Sequence, residues 1–395
     1  MPAKEYKPRV IAAVDALQER LWGISKTLYE NPEVAFKEYK SSALLADVLS
    51  EAGFIVERGI GNIETSFRAR ADGNAAGPTI AFLAEYDALP EIGHACGHNL
   101  IASAAVGAGL ALLAVLPELG GSLQVIGTPA EDGGGGKIIM LKAGVFAGLD
   151  AVLMVHPASK DMVLRGSLAS ARLKLEFHGK PSHAAAKPYL GVNALDAVLL
   201  TFNNINALRQ QLHTSDRVAG IITNGGAAAN IIPAYTSADF SVRGRTSARR
   251  EEVLERVIAC AQAGASATGC RLEYQVSGGY DQIIPNRVLA DLFAGNLLQL
   301  GRQVVAPLAD EPMGSTDMGN VSHAAPSLHP YLAVASEDIP WHSSAFREAC
   351  LTAAGRAAML DGAKALAMTA VDLLVQPNLV EEAWNEHTSA MAERA

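Results

Sequence analysis

Short apolar runs alternate with polar loops over the first part of the chain. Three of these runs have the length and composition of buried strands, and each ends in a loop that carries polar side chains. The runs cover residues 79–84, 122–126 and 150–155. Helical spacing of apolar residues precedes them at 8–30 and 41–52, with shorter strands predicted near 54–57 and 64–69. Helices are predicted after the first two runs, at 99–116 and 137–144. Strand, polar loop and helix in repetition predict a parallel α/β sheet.

The periodicity changes near residue 168. Leu173, Leu175 and Phe177 alternate with charged neighbours, so this strand has one face exposed to water. The elements that follow it are predicted at 193–212, 217–223, 235–243, 248–266 and 271–277. Their order, β-α-β-β-α-β, is that of a ferredoxin-like domain. The α/β pattern resumes near residue 285, with a strand at 331–335 and a long helix at 349–375. We therefore predict a domain of residues 168–283 inserted between two parts of a first domain, 1–167 and 284–395.

Composition narrows the class of protein. With 49% apolar and 18% charged residues among 395, the chain has enough apolar surface for a large core. The net charge of −9 argues against a nucleic-acid surface. The longest apolar segment, 101–116, is too short to cross a membrane. No signal peptide is visible, and the four cysteines form no C-x-x-C pair. A reducing, cytoplasmic location is expected.

The loops after the three apolar runs carry side chains that bind metals. Cys96 and His98 follow the first run, Glu131 and Asp132 the second, and His156 the third. Ligands bind at the carboxyl ends of strands in open α/β sheets, and this donor set suits Zn²⁺. One acid of the adjacent pair then binds metal, and the other takes a proton from water. Two alternatives remain open from the residues alone. The Cys and His side chains could only pack, and the acids could only complement a helix dipole.

Four consecutive glycines precede Lys137, which invites comparison with a phosphate-binding loop. The spacing does not match, because Glu131 stands where that motif has its first glycine and Ile138 follows the lysine. Two acids in the loop would also repel phosphate. The glycines are better explained as residues that let the backbone turn tightly beneath a metal site.

Seven motifs taken together resemble one family. They are Glu-Tyr-Asp-Ala-Leu-Pro, His-Ala-Cys-Gly-His-Asn, Gly-Thr-Pro-Ala-Glu-Asp-Gly-Gly-Gly-Gly-Lys, Val-His-Pro, Gly-Lys-Pro-Ser-His-Ala-Ala, Asn-Ile-Ile-Pro and Gly-Ser-Thr-Asp-Met-Gly-Asn. The chain resembles the aminoacylase and carboxypeptidase-G type dinuclear metallopeptidases. Within them it is similar to the amidohydrolase branch with hippurate, auxin-conjugate and aminobenzoyl-glutamate hydrolases. The resemblance spans residues 20 to 370 and implies a zinc-peptidase-like α/β/α catalytic domain with an inserted ferredoxin-like lid and dimerisation domain.

The resemblance also implies a role for each site residue. Cys96 would bridge two divalent ions, Zn²⁺ or Mn²⁺, with Glu131 as general base and Asp87 orienting a ligand. The remaining metal ligands would be His98, Asp132, His156 and His342. His329 and His323 are the other C-terminal candidates for the last ligand; the resemblance favours His342, with His329 lining the pocket. His94 could compete as a ligand, although the resemblance does not assign it one. Relatives usually carry Glu at position 132 and Asp at position 99, where this chain has Asp and Asn.

The inserted domain carries three further candidates by resemblance. His183 would polarise the substrate carbonyl from the partner subunit of a homodimer, and Asn230 and Arg243 would hold the substrate. Arg suits a bidentate carboxylate, although Arg243 could equally be a salt-bridged strand end. The predicted function is hydrolysis of the amide bond of an N-acyl amino acid, dipeptide or aryl-amide conjugate, without nucleic-acid or membrane partners. The alternatives are a hydrolytic arylamine deaminase and a non-catalytic metal-binding protein.

Overall fold

The computed structural model describes residues 3–308 and 310–393. These residues form two compact units. The first contains the chain up to Gly166, Ile283–Glu311 and the chain from Asp317 onward, and the second contains Ser167–Gln282 with Pro312–Thr316. The sequence analysis placed the boundaries after residues 167 and 283, and it assigned 312–316 to the catalytic domain. In the structure these residues belong to the second unit, where the amide of Leu168 donates to the carbonyl of Gly314 at 2.8 Å.

The elements follow the predicted order. Before the insertion they are α1 (Ala3–Glu30), α2 (Tyr39–Glu51), β1 (Ile55–Arg58), β2 (Phe67–Asp72), β3 (Ala75–Ala84), α3 (His98–Leu113), β4 (Gly120–Gly127), α4 (Glu131–Gly134), α5 (Gly136–Lys142), β5 (Ala151–Leu153) and β6 (His156–Ala158). The second unit contains β7 (Ala169–His178), α6 (Ala194–Arg209), β8 (Arg217–Asn224), β9 (Tyr235–Gly244), α7 (Ser247–Thr268) and β10 (Arg271–Tyr280). The remaining elements are α8 (Arg287–Gln299), α9 (Met318–Ser322), β11 (Ser327–Leu328), β12 (Tyr331–Ala333), α10 (Ser344–Ala349), α11 (Ala353–Val375) and α12 (Pro377–Ala392).

The main sheet of the first unit has the order β1-β2-β4-β3-β5-β11. Its strands β4, β3, β5 and β11 are parallel, as predicted, whereas β1 and β2 pair antiparallel. The predicted parallel sheet therefore carries an antiparallel edge formed by β1 and β2. The connection between Arg58 and Phe67 is short, and a parallel crossover needs about a dozen residues or more.

Strand β3 shows why the sheet is covered on both faces. Its residues Ile80 and Phe82 belong to one buried cluster, together with residues of α1, α3 and α11. The intervening Ala81 and Leu83 belong to a second cluster, together with residues of α5 and α9. Successive side chains of a strand point to opposite faces, so helices on each face give an α/β/α layer structure. This confirms the predicted fold class of the first domain.

Further elements differ from the sequence-based expectations. The predicted strand at 150–155 ends at Leu153, and β6 pairs instead with β12 in a separate two-stranded sheet. The long C-terminal helix begins at Ala353 rather than residue 349, because α10 ends and Thr352 caps a new helix. Several short elements and the last helix were not predicted: α4, α9, α10, α12, β6 and β11.

The second unit is a four-stranded antiparallel sheet of order β10-β7-β9-β8. The alternating residues Leu173, Leu175 and Phe177 pack into a core with α6 and α7. The order βαββαβ with this strand arrangement confirms the ferredoxin-like prediction. Within residues 3–308 and 310–393, none of the helices combines the length and apolarity that a bilayer-crossing segment needs.

Candidate metal centre and active site

The loop after β3 places Cys96 and His98 on either side of a residue that must be glycine. Gly97 has a φ of +84°, and a Cβ atom there would lie 2.7 Å from Cγ of Pro157. Backbone in the left-handed region favours glycine, and the contact with Pro157 leaves no room for a side chain. The thiol and the imidazole are therefore held at the start of α3, beside the segment that carries His156.

The loop after β4 turns sharply around Glu131 and Asp132. Ala130 lies in the left-handed region with a φ of +62° and precedes the single turn of α4. A Cβ on Gly136 would lie 1.9 Å from the carbonyl oxygen of Pro129. The glycine run thus lets the chain pass close to its own backbone and start α5 directly after the acids.

His98 is oriented by Asp87. Its Nδ1 lies 2.9 Å from the carbonyl oxygen and 3.1 Å from Oδ1 of that residue. Both partners are acceptors, so the proton sits on Nδ1 and the lone pair of Nε2 is available to a metal. Asp87 Oδ2 also accepts the amide of Asp132 at 2.9 Å. One buried carboxylate therefore fixes two of the predicted ligands.

His156 has the same arrangement with a different acceptor. Its Nδ1–H donates to the carbonyl oxygen of Pro157 at 2.7 Å. Nε2 then faces Sγ of Cys96 at 3.6 Å. Metal-binding histidines usually donate their other ring N–H to a carbonyl or carboxylate in this way, which fixes the orientation of the ring.

Two groups of candidate ligands meet at one sulfur atom. Cys96, His98 and His156 form one group and Cys96, Asp132 and His342 form another, each with donor atoms within 4.8 Å of one another. His342 has a φ of +57°, and its Nε2 lies 3.7 Å from Oδ1 of Asp132. Cys96 belongs to both groups, so its sulfur atom is common to the two sets of donor atoms.

The buried polar atoms of this cluster fit a metal. His98 Nε2 and Asp132 Oδ2 are buried and have no hydrogen-bond partner among the residues that the structure describes. Burial raises the pKa of the Cys96 thiol, and the nearby Asp132 carboxylate adds to this effect. Unpaired buried polar atoms are unfavourable. A divalent ion would satisfy the nitrogen and the oxygen and replace the proton on the sulfur.

Glu131 and Asp132 point to different surroundings. Asp132 lies with the candidate ligands Cys96 and His342, whereas Glu131 is buried with Glu85 and Asp317 and belongs to neither group that contains Cys96. Burial, reinforced by Glu85, raises the pKa of Glu131 well above its usual range. A carboxyl with a raised pKa next to a metal cluster is suited to accept and return a proton.

His329 and His94 belong to none of the metal-ligating groups found among the described residues. His329 is buried, its ring centroid lies 5.4 Å from that of His156, and burial lowers its pKa to about 4. Burial also lowers the pKa of His94 to about 3. Neutral, buried His329 is placed to line the space beside His156.

His183, Asn230 and Arg243 belong to the second unit. His183 is exposed, and its Nδ1 accepts the amides of Ala185 and Ala186 at 3.3 and 3.2 Å. The carbonyl oxygen of Asn230 accepts the amide of Ala184 at 3.1 Å, which joins the two loops. Arg243 lies separately, at the end of β9, and is half-buried.

Three buried charged residues beside the candidate metal ligands have no role predicted from the sequence: Glu85, Lys137 and Asp317. Lys137 was considered only as part of a phosphate loop, and its position after four glycines gave no hint of its partners. Asp317 lay within the motif Gly-Ser-Thr-Asp-Met-Gly-Asn. The sequence signals for these residues were that motif, for Asp317, and the acidic residues directly after β3, for Glu85.

Known proteins with related sequences and structures identify the family. A family model described as the peptidase dimerisation domain matches residues 165–268. The chain is 38% identical over 391 residues to Xaa-Arg dipeptidase of Mus musculus, covering 95% of this chain and 90% of that protein. It is 29% identical to one of the subunits of p-aminobenzoyl-glutamate hydrolase from Escherichia coli (strain K12), covering 95% and 93%. A dinuclear metal-binding peptidase of the M20 family from Bacillus subtilis has a TM-score of 0.69 and 22% identity, covering 91% and 99%. The chain belongs to the M20 peptidase family of metal-dependent hydrolases that act on amide bonds.

Proposed function

We propose that this enzyme hydrolyses the amide bond of dipeptides, with Glu131 as the general base. The observation that carries the proposal is the sharing of Cys96 by two ligand groups, with the buried Glu131 adjacent in sequence to the ligand Asp132. The proposed ligands are Cys96, His98, Asp132, His156 and His342. When bound, Zn²⁺ or Mn²⁺ supplies Lewis-acid activation of water and of the substrate carbonyl.

Side chains of the first unit transfer the protons and orient a metal ligand. Glu131 takes a proton from the attacking water and later delivers it to the leaving amine nitrogen. Asp87 keeps His98 in the tautomer with a free Nε2, through the contact of 3.1 Å to Nδ1. Burial of these carboxylates strengthens every electrostatic interaction in the site, because bulk water is excluded.

Dipeptides are proposed as the substrate class because the Xaa-Arg dipeptidase of Mus musculus is 38% identical over 95% of this chain. The metal-loaded protein should be assayed against dipeptides with C-terminal arginine or lysine, neutral dipeptides, N-acetyl amino acids, aminobenzoyl-glutamate and arylamines. We expect the largest kcat/KM on a dipeptide. Preferred turnover of N-acetyl amino acids or aminobenzoyl-glutamate would contradict the substrate class, and release of ammonia from an arylamine would favour deamination.

His183 is proposed to stabilise the oxyanion that forms during attack on the amide. Its Nδ1 accepts two backbone amides, so in the neutral ring the proton sits on Nε2. An exposed Nε2–H is a hydrogen-bond donor that a negatively charged oxygen can use. Asn230, on the adjoining loop, and Arg243 are proposed to bind the substrate, the latter through its carboxylate.

A homodimer through the second unit is proposed as the functional assembly. The dimerisation-domain match at residues 165–268 supports it, as do exposed apolar side chains on α6 and β8: Leu199, Leu200, Ile221 and Ile222. Apolar side chains at a sheet edge and on a helix are stabilised when a partner covers them. We further propose that His183 serves the active site of the partner subunit. The four cysteines are unpaired, which fits the reducing cytoplasm proposed as its location.

Mixing two inactive variants tests the shared site. Glu131→Gln and His183→Ala should each be nearly inactive alone. After subunit exchange at equal concentrations, half of the dimers are mixed, and each mixed dimer has one site with both residues intact. Activity should therefore recover to about a quarter of the wild-type value. Unchanged low activity, with exchange confirmed by mass spectrometry of differently labelled subunits, would show that His183 acts within its own subunit.

A further inference from the structure

A carboxylate cluster lies beside the two metal-ligand groups. Glu85, Glu131 and Asp317 are all buried, and one oxygen from each lies within 4.8 Å of the others. Three carboxylates at this separation repel one another strongly in a site that excludes water. By donor type and spacing alone, this cluster would suit a third divalent cation.

The ammonium group of Lys137 lies among these carboxylates. Its Nζ is 2.6 Å from Oε1 of Glu85 and 2.6 Å from Oδ1 of Asp317. The backbone amide of Lys137 donates to the other oxygen of Asp317 at 3.0 Å. The side chain of Lys137 is completely buried. Lysine side chains are seldom fully buried unless they are paired with an acid.

The side chain of Lys137 keeps its proton, and with it the positive charge, in this position. Burial by itself would lower the pKa of the ammonium, but Asp317 and Glu85 outweigh that effect and raise it. Glu131 acts in the same direction. A permanent positive charge thus sits where the three carboxylates converge.

We propose that the Lys137 ammonium takes the place of a metal ion in the Glu85–Glu131–Asp317 cluster and thereby restricts the enzyme to two ions. It is a positioning residue, because it acts on the reaction through the carboxylates that it holds. Oε1 of Glu85 bonds to Lys137, while Oε2 lies 3.5 Å from Nε2 of His98. Lys137 therefore orients the carboxylate of Glu85, which contacts Lys137 through one oxygen and faces the proposed ligand His98 with the other.

The inference follows from charge balance. With Lys137 the cluster contains three carboxyl groups and one ammonium, and Asp317 is held by both the side chain and the backbone of the lysine. Without the ammonium, the same oxygens would have to take up protons or bind a cation. A divalent ion is the cation that three convergent carboxylates favour.

Counting metal ions in Lys137→Ala tests the proposal. The variant removes the charge and leaves room for an ion in the cluster. After loading with Mn²⁺ and removal of free ion, elemental analysis should give two ions per chain for wild type and three for Lys137→Ala. Lys142→Ala, on the exposed end of α5, is the matched control and should retain two. Asp317→Ala combined with Lys137→Ala should lose the third ion again.

Anomalous diffraction at the manganese edge locates the ions. In Lys137→Ala the additional ion should lie within coordination distance of Glu85 and Asp317. A folded Lys137→Ala that binds only two ions, or a third ion elsewhere, would refute the proposal. If the variant does not fold, crystals of the wild type soaked in excess Mn²⁺ test the proposal instead. We expect no ion at the Glu85–Glu131–Asp317 cluster, and an ion there would overturn the inference. Because ion counts do not depend on the substrate, failure of the proposed dipeptidase activity would be recognised separately.

Discussion

Glu131→Gln is expected to lose most of its turnover while keeping its fold and its metal ions. General-base catalysis contributes about 10²- to 10⁴-fold, so kcat should fall by that factor. Glu131 lies in neither ligand group that contains Cys96, and the metal content should therefore stay at the wild-type level. Thermal stability should be equal or higher, because burial and the neighbouring Glu85 and Asp317 make an ionised Glu131 unfavourable, and the amide is neutral. Stopped assays under saturating substrate, elemental analysis and thermal denaturation measure the three quantities.

Asp132→Asn provides the comparison for this variant. It also replaces a carboxyl group by a neutral amide, but Asp132 lies with Cys96 and His342. It should lose metal affinity and recover part of its activity when excess ion is added, whereas Glu131→Gln should not recover. Near-normal kcat in Glu131→Gln with metal bound would remove this residue from the mechanism.

Cys96→Ser is expected to lose both metal ions. The Cys96 sulfur is common to the two ligand groups, and its loss weakens the site for each ion at once. A serine hydroxyl is a poorer ligand than a thiolate for Zn²⁺, and it stays protonated at neutral pH. Activity should fall with metal content. His156→Ala, which belongs to only one group with Cys96, should lose one ion and retain the other.

Cys350→Ser is the matched control for the cysteine variant. Cys350 is also fully buried, its Sγ donates to the carbonyl of Phe346, and it belongs to neither ligand group that contains Cys96. It should keep two ions per chain, so that loss in Cys96→Ser is assigned to coordination rather than to a buried hydroxyl. Retention of one tightly bound ion in Cys96→Ser would argue against a shared thiolate. Elemental analysis after dialysis against metal-free buffer makes the measurement.

Local sequence patterns predicted the order of the main elements and the loops that carry most of the candidate site residues. Apolar runs of strand length predicted β3 and β4, and the residues after them were expected at one edge of a parallel sheet. The structure places Cys96, His98 and Asp132 there together, because the carboxyl ends of parallel strands share an edge. The change to alternating polarity at residue 168 likewise predicted the second unit, since period-two patterns depend only on local burial.

Contacts between residues far apart in the chain became visible in the folded protein and not in the sequence. Lys137 and Asp317 are 180 positions apart, and nothing in their local patterns predicted a contact of 2.6 Å. His342 rather than His329 lies with Cys96 and Asp132, and these three residues come from separate parts of the chain. The antiparallel edge of the main sheet depends on the short connection between β1 and β2 and on the pairing of β2 with β4. Periodicity records which side of an element is buried, whereas contacts between distant elements are set by how the buried sides pack together.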